Sequence, residues 1–284
     1  MPGEWSGAPL KRGKFIAGNW KMNKGTAESL AFLGDLAALL EEVKGFDSLV
    51  LDPVDLVLFP QAVNLQPMGE YLKKCKIDLK LGIQNIYWPL SGAFTGENSI
   101  SSASEAGASF ALVGHSERRH LFTEDDDLVA KKFCSCLENG LEPVLCVGET
   151  ETQRNDGLTE KVIEDQVKAV FDHLKTGFGE RERVFIAYEP VWAIGTGLNA
   201  TARDAQDCCR FIRTLLSEFG DPDLAARSIV AYGGSVKSSN SKGYLDQDDV
   251  DGLLVGGASL DPREFYGIIL SALQRVKDSR VQSQ

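Results

Sequence analysis

Basic residues and histidine are scarce in this chain. Across 284 residues, 30 lysines and arginines stand against 41 aspartates and glutamates, a net charge of -11. That balance excludes duplex nucleic acid or an anionic membrane surface as the main partner, and any anionic substrate needs a local positive site. No apolar run approaches the roughly 20 residues that cross a bilayer. Histidine is confined to His115, His120 and His173, with no H-E-x-x-H, so no metal site is expected. The six cysteines, Cys75, Cys134, Cys136, Cys146, Cys208 and Cys209, form no C-x-x-C and read as reduced core thiols. Residues 1–12 have no apolar centre and no cleavage pattern, so a secretory signal is not expected there and the cytoplasm is the expected compartment.

What the chain does contain is an alternation of two periods. Eight short β-rich runs fall at 14–17, 56–59, 79–84, 110–113, 143–147, 184–188, 228–232 and 252–255. Amphipathic helical stretches lie between them. Thr26 is expected to cap a helix with Leu33, Leu36, Leu40 and Val43 on one face and Gly45 beyond its end. Further helices are expected over 126–138, from Thr159 through Leu174, from about Thr201 through Phe219, and after Pro262. Crossovers of this length suit parallel strands, and nearly continuous apolar strands suit a sheet covered by helices. With no linker dividing the chain, the pattern fits one domain, a closed (β/α)8 barrel of the α/β class, over 13–276. The tails at 1–12 and 277–284 are expected to be disordered.

In such a barrel the active site lies at the C-terminal ends of the strands. Those ends carry Asn19 and Lys21 after the first run, His115 after the fourth and Glu189 after the sixth. Glycine-rich turns follow the seventh (Gly233-Gly234-Ser235) and the eighth (Gly256-Gly257). Pro190 stops the sixth strand and leaves Glu189 at its mouth. Val191, Trp192 and Ile194, followed by Gly195-Thr196-Gly197, have the make-up of a lid, an apolar body with a glycine tip. Ser235, Gly256, Gly257 and Gly195 lie on adjacent late turns, where barrels usually hold phosphate. Gly114-His115-Ser116-Glu117-Arg118 lacks the second glycine of a nucleophile elbow, and Gly195-Thr196-Gly197 lacks the last glycine of a dinucleotide fingerprint.

From about Lys14 to Leu273 the chain resembles the triosephosphate isomerase family. The matching stretches are Gly18-Asn19-Trp20-Lys21-Met22-Asn23, Gly92-Ala93-Phe94-Thr95-Gly96-Glu97, Val113 to Arg119, Tyr188 to Gly197, Tyr232 to Val236, and Leu254 to Leu260. The resemblance implies isomerisation of dihydroxyacetone phosphate and glyceraldehyde 3-phosphate with neither cofactor nor metal. It implies Glu189 as the base, desolvated beside Ile194 and Leu254 under a lid of Val191, Trp192, Ala193 and Ile194. It also implies His115 as the electrophile, Lys21 and Asn19 as electrostatic and hydrogen-bonding support, and backbone amides at Gly195, Ser235, Gly256 and Gly257 for the phosphate. The loop holding Thr95 and Glu97 resembles one that the family inserts into a second subunit, with Glu97 pairing to Arg118 across a homodimer. Two departures stand out: Leu198 follows Gly197 where the family usually has lysine, and the stretch 149–157 matches loosely after Gly148-Glu149.

Two other readings fit parts of the pattern. A Schiff-base aldolase using Lys21 would need that amine desolvated, whereas Asn19 and Asn23 are its polar neighbours. A catalytically idle barrel would be expected to lack the base, the acid or the lysine, and all three are present.

Overall fold

Strand periodicity decides this architecture. The computed structural model describes residues 12–44, 54–75, 77–175, 177–179, 183–193 and 200–282. Its eight strands are β1 (Lys14–Asn19), β2 (Val54–Phe59), β3 (Lys80–Ile83), β4 (Ala108–Val113), β5 (Glu142–Val147), β6 (Phe185–Tyr188), β7 (Ile229–Tyr232) and β8 (Gly252–Val255). Each pairs in parallel with its sequence neighbour and β8 returns to β1, so the expected barrel is closed. The helices are α1 (Thr26–Lys44), α2 (Leu65–Cys75), α3 (Ile100–Glu105), α4 (Ser116–Leu121), α5 (Asp126–Glu138), α6 (Glu151–Asn155), α7 (Thr159–His173), α8 (Ala202–Phe219), α9 (Pro222–Arg227), α10 (Ser238–Leu245) and α11 (Pro262–Gln282).

Alternate side chains of each strand point to opposite sides of the sheet. One set, including Phe15, Ala17, Val57, Phe59, Phe110, Leu112, Val144, Cys146, Phe185, Ala187, Ile229, Ala231 and Leu254, fills the barrel. The other, including Ile16, Leu56, Leu58, Ile186 and Val230, packs outward against the helices. The rings of Phe15 and Phe110 each lie 5.2 Å from that of Phe185, so the interior is plugged by aromatic contacts rather than open as a pore. The inward period reaches Asn19 at the end of β1 and, one step beyond the other strands, Gly148, Glu189, Gly233 and Gly256. The registers Val147↔Tyr188, Tyr188↔Tyr232 and Gly18↔Val255 bring those positions to one rim.

Several local expectations change. Thr26 is the first residue of α1 rather than its cap: its hydroxyl donates to Asn64 Oδ1 (2.9 Å), and the preceding Gly25 carbonyl accepts from Ser29 N–H (2.9 Å). At the other end of the chain, α11 runs on to Gln282, well into the stretch expected to be a disordered tail. Residues 1–11 and Gly45 lie outside the described residues. Among the described residues no helix is long and apolar enough to cross a membrane.

Candidate active site

Glu189 is the next inward residue after Phe185 and Ala187, and its carboxylate is nearly enclosed, with 3% of the residue exposed. Oε2 accepts from Ser116 N–H at 3.0 Å, and Oε1 lies 3.1 Å from His115 Nε2. The Glu189 backbone N–H donates to the Val147 carbonyl (2.7 Å), which extends the β5–β6 ladder up to Glu189. A carboxylate with two fixed donors and little water has a defined position, which proton transfer from carbon requires.

His115 reaches Glu189 through a tight turn after β4. Gly114 adopts φ +73, a left-handed conformation that suits glycine, and the Arg119 Nε–H donates to its carbonyl at 2.7 Å. His115 then caps α4 with its own ring, Nδ1 accepting from Glu117 N–H at 3.2 Å. An accepting Nδ1 carries no proton. The network therefore assigns a neutral ring whose proton sits on Nε2, facing Glu189.

Lys21 sits across the mouth. Its backbone is left-handed, φ 52, an uncommon state for a residue with a side chain and of a kind found at functional sites. Three bonds hold that turn: Lys21 N–H donates to Asn19 Oδ1 (3.0 Å), while the Gln84 amide donates to the carbonyls of Lys21 and Phe59 (both 2.8 Å). The Lys21 ammonium meets Glu117 Oε1 at 2.7 Å, with the lysine side chain 30% exposed. A paired, partly wetted ammonium is not the dry amine that Schiff-base chemistry requires. Trp20, within the same motif, is wholly buried and donates from Nε1 to the Ser259 carbonyl (2.9 Å), which ties the β1 turn to the β8 turn.

The glycine turns form the other end of one cavity of about 700 Å³. Asn19, Lys21, His115, Glu189, Ser235, Leu254, Gly256 and Gly257 all line it, so the residues expected after β1, β4, β6, β7 and β8 converge. Among the described residues, a methyl group added at Gly257 would meet nothing within 4 Å, and one at Gly256 only Lys21 Cε at 4.0 Å. Asn240, on α10, donates to the Ser235 carbonyl (3.2 Å) and sets that turn.

Other expected residues lie elsewhere. Val191, Trp192 and Ala193 form a single 3-10 turn beside the mouth, and they do not line the cavity. Ile194, Gly195, Thr196, Gly197 and Leu198 fall outside the described residues. Thr95 and Glu97 are exposed on the loop after β3, and Asn85 Nδ2 donates to Glu97 Oε2 at 3.2 Å. Within the chain Arg118 pairs with Glu124, whose Oε1 also receives Lys132, while Glu124 Oε2 is buried without a partner among the described residues.

Sequence reasoning missed Glu149. This wholly buried carboxylate accepts from Tyr188 Oη (3.1 Å to each oxygen) and Trp192 Nε1 (2.9 Å), with Arg154 at 3.5 Å. Burial, then the neighbouring Cys208 and Glu149, raises the Tyr188 hydroxyl well above its ordinary value, so it remains a donor. The available signal was Gly148-Glu149 directly after a strand end. Gln84 offered none.

The triosephosphate isomerase family model matches residues 14–272. Among curated proteins, the triosephosphate isomerase of Aquifex aeolicus is 41% identical over 259 residues, 91% of this chain and 99% of that protein. The enzyme of the same name from Finegoldia magna is 41% identical over 261 residues, covering 91% and 98%. That of Dictyoglomus turgidum is 40% identical over 260 residues, covering 92% and 100%.

Proposed function

The chain belongs to the triosephosphate isomerase family, and on that premise we propose that Glu189, His115, Lys21 and Asn19 carry the interconversion of dihydroxyacetone phosphate and D-glyceraldehyde 3-phosphate. The reaction moves a carbonyl by one carbon. Glu189 takes a proton from C1 of the ketose, the C–H electron pair becomes the C1–C2 double bond, and the C2 oxygen takes up negative charge. His115 donates its Nε2 proton to that oxygen and accepts the proton of the C1 hydroxyl, which becomes the aldehyde. Glu189 returns its proton to C2. Nothing is oxidised or reduced overall, so the chemistry calls for no cofactor.

The observation carrying this reading is the approach of the buried Glu189 Oε1 to His115 Nε2 at 3.1 Å, in one cavity with Lys21. A neutral histidine at a helix N-terminus beside a glutamate base is the pattern for which this enzyme family is itself the standard illustration, so the pairing is recognised rather than new. Lys21 adds a fixed positive charge against the enediolate and phosphate, and Asn19 adds a hydrogen bond. Amides at Ser235, Gly256, Gly257 and Gly195 bind the phosphate. Val191, Trp192, Ala193 and Ile194 close over the site against Leu254, keeping water from an enediol that would otherwise lose phosphate. Glu189→Gln is isosteric but cannot take a proton, and kcat should fall at least about 10²–10⁴-fold. Near wild-type turnover in the folded variant would overturn the assignment.

Assembly as a homodimer is the second part of this reading. Seven of the nine large apolar residues exposed among the described residues, Met22, Val63, Trp88, Leu90, Phe94, Leu121 and Phe122, follow β1, β2, β3 and β4. Those strands are neighbours, so the loops occupy one arc of the rim, and an apolar concentration of that kind suits a subunit interface. Thr95 and Glu97 are on the same arc. Glu97 then reaches Arg118 of a second copy. Light scattering should give twice the mass of one chain, and a single-chain mass would remove the dimer. The reaction belongs to glycolysis and gluconeogenesis, and the cytoplasm is the proposed compartment, checked by cell fractionation.

A further inference from the structure

The turn after β5 lies closer to Glu189 than any side chain would permit. A Cβ built on Gly148 would stand 1.8 Å from the Glu189 carbonyl oxygen and 2.7 Å from its carbonyl carbon, so only glycine allows this approach. The next residue, Glu149, holds the turn after the base: its carbonyl accepts from Val191 N–H (3.1 Å) and its carboxylate from Trp192 Nε1 (2.9 Å). Gly148 and Glu149 are thus one platform under both the base and the 191–193 turn.

Gln166 holds this platform from outside the cavity. It projects from α7, where its Oε1 accepts from Gly148 N–H at 2.8 Å and its Nε2 donates to the Gly148 carbonyl at 3.4 Å. Gly148 follows the end of β5, and one amide side chain satisfies both of its backbone groups. An amide offers a donor and an acceptor on separate atoms, matching both groups of a peptide at once, whereas an ionised carboxylate only accepts.

We propose that Gln166 is a positioning residue for the isomerase reaction: it fixes the Gly148 peptide, the surface on which the Glu189 main chain rests, and so sets the point from which the carboxylate reaches the substrate carbon. It touches neither substrate nor reacting atoms. The inference rests on Glu189 being the base. A displacement of under an ångström at the base slows proton transfer while leaving the phosphate contacts after β7 and β8 intact, so the effect falls on kcat rather than KM.

The test compares Gln166→Leu, Gln166→Glu and Glu189→Gln in the full-length protein by steady-state kinetics on glyceraldehyde 3-phosphate, with inorganic phosphate as a competitive probe of the glycine turns. Gln166→Leu removes both bonds and should lower kcat about 10-fold, with KM and the phosphate inhibition constant within about twofold. Gln166→Glu keeps the acceptor for the short bond and should recover most of that loss. Gly148→Ala, read in the same assay, should lose more than Gln166→Leu. Unchanged kcat in Gln166→Leu, an equal rise in KM, or no recovery in Gln166→Glu would overturn the proposal while an inactive Glu189→Gln left the base assignment standing. An active Glu189→Gln would overturn both.

Discussion

The interior of the barrel and its mouth are built on the same strands with the same period of two, and they differ in what occupies the inward positions. Below the rim those positions hold Phe15, Ala17, Val144, Cys146, Phe185, Ala187, Ile229 and Ala231, all buried in one apolar cluster. One step further along they hold Asn19, Gly148, Glu189, Gly233 and Gly256. Gly233 and Gly256 line the cavity without side chains, Gly148 lets the Glu189 main chain pack close against it, and Asn19 and Glu189 place polar groups on the same rim. The floor supplies rigidity through packing, and the mouth supplies chemistry through a few hydrogen bonds. This division makes the two regions separable by mutation.

The largest effect should come from the floor. Phe185→Ala removes a ring that contacts both Phe15 and Phe110, and should cost about 3–5 kcal/mol of folding stability. The fraction that stays folded should keep a KM close to wild type, which chemical denaturation combined with active-site titration would show. A loss of substrate affinity without loss of stability would break the comparison. The mouth should respond in the opposite sense. Gly257→Ala places its methyl within 4 Å of none of the described residues, so the denaturation midpoint should hold, while crowding one amide–phosphate bond should weaken substrate binding by about 1.5–3 kcal/mol. Calorimetry with inorganic phosphate checks this, and unchanged affinity would remove Gly257 from the phosphate site.

The smallest effect is one of pH, and it belongs to thiols of the shell rather than the mouth. Burial pushes the Cys134 and Cys208 thiols up to about 11 and that of Cys136 up to about 12, from an ordinary 9.0. Their folded values lie above the unfolded one, so the folded chain keeps these protons after the unfolded chain has released them. The associated stability is full below pH 9.0 and is lost as pH rises through 11 to 12. Urea midpoints should therefore fall between about pH 9 and 11, and Cys136→Ala should flatten that fall relative to its own midpoint at about pH 8. An identical slope in the variant would rule out this thiol as a source.

Most of the barrel was legible in the sequence because strand runs and helix faces are local patterns. All eight strands lie where the β-rich runs fall, within a few residues. Helices with strong caps or faces were equally plain: α5 opens with Asp125 accepting from Leu128 N–H, and α8 with a Thr201–Asp204 capping box. α2 was not, since Pro67 and Gly69 interrupt its pattern while Leu65, Met68 and Leu72 carry its burial. α10 is rich in serine, asparagine and glycine. It is fixed from outside its own sequence by Glu264, which accepts from the backbone and hydroxyl of Ser238 at 3.2 and 3.1 Å.

The site divides in the same way. Glu189, Asn19 and Lys21 were readable as candidates because they stand at or just past the ends of β6 and β1, while the roles expected of them came from the family resemblance. His115 was readable by position, but its tautomer was not, since that depends on a backbone N–H two residues on. Glu149, Gln84 and Gln166 were opaque because their partners are distant in sequence: 43 residues separate Glu149 from Trp192, and 63 separate Gln84 from Lys21. Gly148 has the appearance of an ordinary turn glycine in the sequence, and only the fold brings it against Glu189.

The central claim is that the Glu189 carboxylate moves the proton between carbons, and the most direct measurement is turnover of glyceraldehyde 3-phosphate by wild type and Glu189→Asp. Aspartate keeps the charge but withdraws the carboxylate by about one carbon–carbon bond, a misplacement that can cost on the order of 10²-fold in kcat. The account predicts fast turnover that collapses in the variant with KM little changed. A folded Glu189→Asp enzyme turning over at the wild-type rate would contradict it.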